Sequence, residues 1–349
     1  QHRQQEIDAD GFPMFDPQRL QQVTPQTPTS LTATTSLSNT FLLHSNPFAT
    51  KTIYLDFNGH TLPTNTAWTN SYNGGNAINA PAWSLDADNT TFSDAELTRI
   101  QAIWQRVAED FAPFNVDVTT DFRGEDYLTR SSSSDQVYGM RALISPISSY
   151  VGAYGGIAYV GVFGNVGDFY KPALIFPENL GPNGEKYIAE AVSHEVGHTL
   201  GLNHDGTSTQ GYYSGQGSGA TGWAPIMGVG YYQPLSQWSK GEYPDANNKE
   251  DDLSIISGTS NGFGYRNDDA GNNALTLNDL GLLGQNTLNN SLTDVSQFGI
   301  IERNTDQDWF RFTTGTGAIN LTIQAITQAW INNGSNFGTE YLTQPSGAT

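Results

Sequence analysis

The 349-residue chain contains no cysteine, which excludes disulfides, thiolate metal sites and a thiol nucleophile. It is also poor in positive charge. Fifteen Lys and Arg face 35 Asp and Glu, for a net charge of −20 and no basic run, so a nucleic-acid partner is set aside. No apolar stretch reaches the ~18 residues needed to cross a bilayer as a helix, so no membrane span is expected. Charged residues make up only 14% of the chain, and 37% of it is hydrophobic, enough apolar material for a sizeable core. The acidic excess implies colloidal solubility rather than acidic substrates.

The first 50 residues are rich in Gln, Thr, Pro and Ser, a composition that repays little ordering entropy by burial. They read as a leader, a pro-segment remnant or a linker. The texture changes at Thr52, where Ile53, Leu55 and Phe57 alternate with Tyr54 and Asp56 as in a half-buried strand ended by Asn58-Gly59. Ser93-Asp94-Ala95-Glu96 is a capping box opening an amphipathic helix through Leu97, Ile100, Trp104, Val107 and Phe111, which Pro113 stops. Strand-like segments follow at residues 116–120, 140–144, 157–163 and 173–176, then helical ones at 186–200 and 249–256. A layered arrangement of helices and sheet follows, of the α+β class. From about residue 271 the composition shifts to Asn, Thr and Gly with short apolar alternations, which predicts a separate all-β, sandwich-like module. At about 75 residues it is short for a sandwich of roughly 100. The expected division is 1–50, 51–270 and 271–349.

Three of the six histidines fall in one segment, His194-Glu195-Val196-Gly197-His198-Thr199-Leu200-Gly201-Leu202-Asn203-His204-Asp205. On a helix, positions 194 and 198 face the same way one turn apart, so two imidazoles can hold one zinc, with Glu195 within reach of a water there. Gly201 can adopt positive φ, ending the helix and turning His204 toward the same point as a third ligand. A bare HExxH arises by chance; the added glycine and third histidine make coincidence far rarer.

The segment resembles the extended signature HExxHxxGxxHD of metzincin metalloproteases, closest to the reprolysin-like branch because Asp205 follows the third histidine. Ala224-Pro225-Ile226-Met227-Gly228 is similar to the Met-turn of that family, with Met227 as its methionine. The resemblance implies a catalytic domain with a twisted mixed sheet, two long helices and a zinc cleft, the segment 157–163 supplying the cleft-edge strand. It also implies a secreted bacterial zinc endopeptidase acting on proteins or peptides, with His194, His198 and His204 on one zinc. Glu195 would then act as general base and acid, and Asp205 would make a supporting or turn-capping hydrogen bond. A zinc-associated tyrosine two places after the methionine is missing, since Val229 stands there; Tyr231 and Tyr232 follow, with packing or substrate contact favoured over catalysis for both.

The stretch from Gly299 to Phe312 resembles the start of a bacterial pre-peptidase C-terminal domain, so the tail is expected to be such a module, either diverged or incomplete at residue 349. Calcium is a second candidate cofactor, at Asp86-Ala87-Asp88 or at Asp245, Glu250, Asp251 and Asp252. A solvated turn and a helix dipole are the favoured accounts of those carboxylates. With no cysteine to mask zinc, a latent zymogen would need a carboxylate such as Asp8, Asp10 or Asp16. The rival reading is a surface or carbohydrate-binding protein with a vestigial zinc site, opposed by the retention of Glu195.

Overall fold

The computed structural model describes residues 33–86, 88–181, 184–283, 297–314 and 320–343. Asp8, Asp10 and Asp16 therefore lie outside the described residues. In chain order the strands are β1 Leu43–His44, β2 Lys51–Asp56, β3 His60–Leu62, β4 Ile78–Ala80, β5 Asp117–Thr119, β6 Tyr138–Ile144 and β7 Gly156–Ile157. They continue as β8 Ala173–Ile175, β9 Trp223–Pro225, β10 Leu235–Gln237, β11 Asn278–Leu283, β12 Phe310–Thr314, β13 Ile326–Asn332 and β14 Phe337–Thr343. The helices are α1 Ala67–Tyr72, α2 Asp94–Asp110, α3 Ser148–Val151, α4 Pro177–Leu180, α5 Glu185–Thr199 and α6 Asp252–Ile256.

A mixed eight-stranded sheet in the order β14-β13-β1-β5-β2-β6-β8-β7 forms the centre. Its middle is parallel: β2 pairs with both β5 and β6, and β6 pairs with β8. The edge strand β7 runs antiparallel to β8. All six residues of β2 are buried, so the alternation read from the sequence does not mark a solvent-facing side. A central parallel strand is covered on both faces, and Thr52, Tyr54 and Asp56 are enclosed along with the aliphatic residues.

Helices α2 and α5 pack against each other and against the sheet. The start of α2 follows the capping box: Ser93 Oγ accepts from the Glu96 amide, and Glu96 Oε2 accepts from the Ser93 amide at 2.7 Å. Every residue of α5 from Ile188 to Thr199 is buried, so its imidazoles and carboxylates sit inside the protein.

Several boundaries differ from the sequence expectation, for identifiable reasons. Part of the segment assigned to a leader enters the sheet: β1 bridges β5 and β13. Leu43 and His44 are fully buried there, and His44 lies 2.7 Å from Asp117 and 3.2 Å from Asp121. Composition averaged over 50 residues hides a two-residue strand held by such pairing. Of the strand expected at 157–163 only Ile157 pairs, together with Gly156 before it; beyond it the chain leaves the sheet, and the Gly161 and Phe163 amides bond to the His198 and Thr199 carbonyls. Helix α6 is shorter than 249–256 because Asp251 is its N-cap, accepting from the Ser254 amide. Among the described residues the tail forms no sandwich of its own. β11 and β12 make a two-stranded parallel pair, while β13 and β14 extend the central sheet through β1.

Candidate active site

His194, Glu195 and His198 lie on the last two turns of α5, and His204 returns to them after the chain reverses at Gly201, whose φ is +109°. The Gly201 amide bonds to the His198 carbonyl and the Leu202 amide to the Gly197 carbonyl, closing the helix as the spacing predicted. One donor atom from each of His194, His198 and His204 lies within 4.8 Å of the others, and all three residues are buried. The Nε2 atoms of His198 and His204 are 2.9 Å apart.

Backbone carbonyls orient two of the rings. His194 Nδ1 lies 2.8 Å from the Ile226 carbonyl and His198 Nδ1 lies 2.8 Å from the Leu202 carbonyl. A carbonyl only accepts, so each Nδ1 carries the proton and each Nε2 presents its lone pair to the cluster. Burial pushes the His198 imidazole down to about 4 and those of His194 and His204 well below the ordinary value, with neighbouring imidazoles adding to the effect for the latter two. Converging neutral imidazoles in a buried site are a donor set that fits zinc.

Beside them, both carboxylate oxygens of Glu195 are buried and have no hydrogen-bond partner among the described residues. Burial alone pushes this carboxyl well above its usual range. Edge strand β7 runs directly past it: a Cβ built on Gly156 would lie 2.6 Å from Glu195 Cγ and 2.7 Å from Oε1. A glycine is needed at that approach, and its position next to the carboxylate was not visible in the sequence.

The segment containing Met227 supports the cluster. Met227 is fully buried, and its sulfur lies against Gly197, between the two helical histidines. Its carbonyl accepts from the Asp205 amide at 2.8 Å, while the preceding carbonyl of Ile226 orients His194. The Asp205 carboxyl is buried near Asp252; burial and the charges of Glu250 and Glu242 push it up to about 7.

Tyr231 is buried beside the charges of Glu195 and Glu190, whereas Tyr232 is 40% exposed. Val229, at the position of the missing tyrosine, is buried, and its amide bonds to the Tyr213 carbonyl. Sequence reasoning missed Tyr212, whose ring centroid lies 4.4 Å from that of His204. Only the clustering of tyrosines after the third histidine hinted at it.

The acidic stretches considered for calcium are occupied locally. Asp88 accepts from Thr90 and Thr91, Asp245 from Ser208, Glu250 from Asn203, and Asp252 from the Ser239 amide. Among the described residues they do not gather into a set of metal donors.

A family model described as reprolysin-like metallopeptidase of family M12B matches residues 83–205, from just ahead of α2 to the aspartate after the third histidine. This chain is a zinc metalloprotease. The matched span contains α2, the strands from β5 to β8, and the whole histidine cluster, so the cluster and the scaffold behind it fall within one match. Its substrates are proteins or peptides. No curated protein matches the sequence significantly. Among the described residues no helix of the protease is long and apolar enough to cross a membrane.

Proposed function

We propose that the protease is a secreted endopeptidase of the metzincin type in which His194, His198 and His204 hold one catalytic zinc and Glu195 is general base and then general acid. The observation that carries this reading is the Glu195 carboxylate: buried next to three converging imidazoles, with neither oxygen bonded among the described residues. Zinc, when bound, supplies Lewis-acid polarisation of the scissile carbonyl and acidifies the attacking water.

Glu195 takes the proton of that water and returns it to the leaving amine, so one side chain serves both steps. Its raised proton affinity, a consequence of burial, makes it a stronger base than an exposed carboxylate. The Ile226 and Leu202 carbonyls keep His194 and His198 in the tautomer that leaves Nε2 available for the metal. Met227 supports the floor of the site through Gly197, and Asp205 secures the turn after His204 by its backbone bond to Met227. An extended substrate would add to the free side of β7, where Gly156 keeps the backbone close to Glu195. Export is inferred from the resemblance to secreted bacterial metalloproteases and from the similarity of the stretch around Asp306 to a pre-peptidase C-terminal domain.

The test is mass-spectrometric mapping of peptide cuts in a denatured protein mixture, comparing the zinc-loaded chain with Glu195→Ala. We expect cuts from the parent only, with turnover in the variant reduced by ~10²–10⁴ and zinc retained. A variant as active as the parent would remove Glu195 from the mechanism. A zinc-loaded parent that cuts nothing would overturn the endopeptidase reading.

A further inference from the structure

We propose that Asp268, Glu302 and Asp306 form a binding site for one hard divalent cation, calcium by its donor chemistry, far in sequence from the histidine cluster and independent of the reaction proposed there. Oxygens of the three carboxylates lie within 4.8 Å of one another. Glu302 is only 3% exposed, yet among the described residues neither of its carboxylate oxygens is met by a hydrogen-bond donor other than the neighbouring carboxyl of Asp306. Asp306 Oδ1 and Asp308 Oδ1 are likewise buried without one. A buried carboxylate that no donor reaches carries a large desolvation cost unless a cation offsets it.

Protein cations do not fill that role. Among the described residues no Lys or Arg forms an ion pair with Asp268, Glu302, Asp306 or Asp308. Arg266 feels the charges of Glu302 and Asp269 but donates to the Phe114 and Ser45 carbonyls, and the Arg303 guanidinium lies 4.8 Å from the centre of the Tyr265 ring. Burial, a hydrogen bond shared with the Asp306 carboxyl and the charges of Asp269 and Asp306 push the Glu302 carboxyl up to about 8, and burial with Asp269, Asp306 and Asp268 pushes Asp308 up to about 6. These shifts are the expected mark of crowded carboxylates without a counter-ion.

The backbone already holds the donors together. The Asp269 carboxylate accepts from the Ile300 amide, that of Asp306 from the Glu302 amide, and Asn272 Oδ1 from the Gln307 amide. The Trp309 amide bonds to the Gly271 carbonyl. Residues 264–266 are in turn fastened to the loop after α2, through Asn115 to Gly264 and Arg266 to Pro113. A cation here would join residues 299–308 to the segment that follows α6. All the donors are oxygen and none is nitrogen or sulfur, which disfavours zinc. Carboxylates from separate loop segments suit the large, irregular coordination shell of calcium better than the strict octahedron of magnesium.

The experiment uses the full, zinc-loaded chain, stripped with a calcium-selective chelator and titrated calorimetrically with calcium chloride. We expect one equivalent to bind, and Tm to rise by ~3 °C or more at hundredfold excess over Kd. Glu302→Gln and Asp306→Asn should each weaken binding at least tenfold while zinc content and far-ultraviolet dichroism stay unchanged. Should either variant fail to fold, the titration of the parent and of the other still decides. No uptake at millimolar calcium by the folded, stripped parent would overturn the site, as would a folded variant titrating like the parent. Magnesium binding as tightly as calcium would overturn the choice of ion.

Discussion

The sulfur of Met227 lies so close to Gly197 that a Cβ there would be 2.7 Å from it, with Trp238 at 3.2 Å and Leu202 at 3.4 Å. The glycine between the two helical histidines is therefore the surface on which the Met227 segment rests. Alanine would gain about 1 kcal/mol in helix propensity at this position, but it would overpack a closed contact. We expect Gly197→Ala to lose about 1–3 kcal/mol of stability and to bind zinc more weakly. Combining it with Met227→Ala should recover part of the zinc affinity. Thermal melts and zinc titrations of the single and double variants check this, and a double variant no better than additive would show that the contact is not the cause.

Gly156, on the sheet-edge strand β7, stands in the same relation to Glu195. Any side chain there would push the carboxylate, since its atoms lie 2.6–2.9 Å from the position of a Cβ. Gly156→Ala should lower kcat by ~10²-fold through misplacement of Glu195, the proposed base, with zinc content unchanged. Metal analysis beside steady-state kinetics separates this from loss of the metal.

Asp252 has its carboxyl pushed up to about 9 by burial and then by the charge of Asp205. The folded state thus holds a proton that the unfolded chain releases near pH 4. The stabilisation this proton provides is full at acid pH and is lost as pH rises toward 9. Asp252→Asn removes the titration while keeping an acceptor for the Ser239 amide. Relative to the parent it should gain about 1 kcal/mol or more at pH 8 and much less at pH 5. Melting curves at the two pH values measure this; equal effects at both would contradict it.

His44 is buried between Asp117 and Asp121, and the Asp117 carboxylate also accepts from the Ser45 and Asn46 amides. Burial pushes the imidazole down, but its bonds to the two carboxylates outweigh this and hold its pKa above the ordinary value. Removing one partner of such a buried pair costs about 3–5 kcal/mol. His44→Ala should show that loss in denaturant unfolding, and a chain starting at Lys51 should be at least as unstable. A stable chain lacking β1 would show that the sheet does not depend on it.

The histidine cluster was legible because its constraint is local. Histidines four residues apart on a helix, a glycine able to reverse the chain and a third histidine three residues later need no distant contact to be read. The same is true of α2, whose capping box, apolar face and closing proline all fall within about twenty residues. Met227 stood out because methionine is scarce, at three in the chain, and because of its distance from the histidines.

What only the tertiary structure decided were the pairings between residues far apart in the chain. β1 looked like leader because a two-residue strand has no period of its own; its place depends on Asp117, seventy-three residues on from His44. β13 and β14 looked like part of a separate module, yet their register joins them to β1 across some 290 residues. The approach of Gly156 to Glu195, the contact of Met227 with Gly197 and the gathering of Asp268, Glu302 and Asp306 are of the same kind. Sequence periodicity reports which side of its own element a residue occupies, whereas a buried charge is balanced by whatever the folded chain brings within a few ångströms of it.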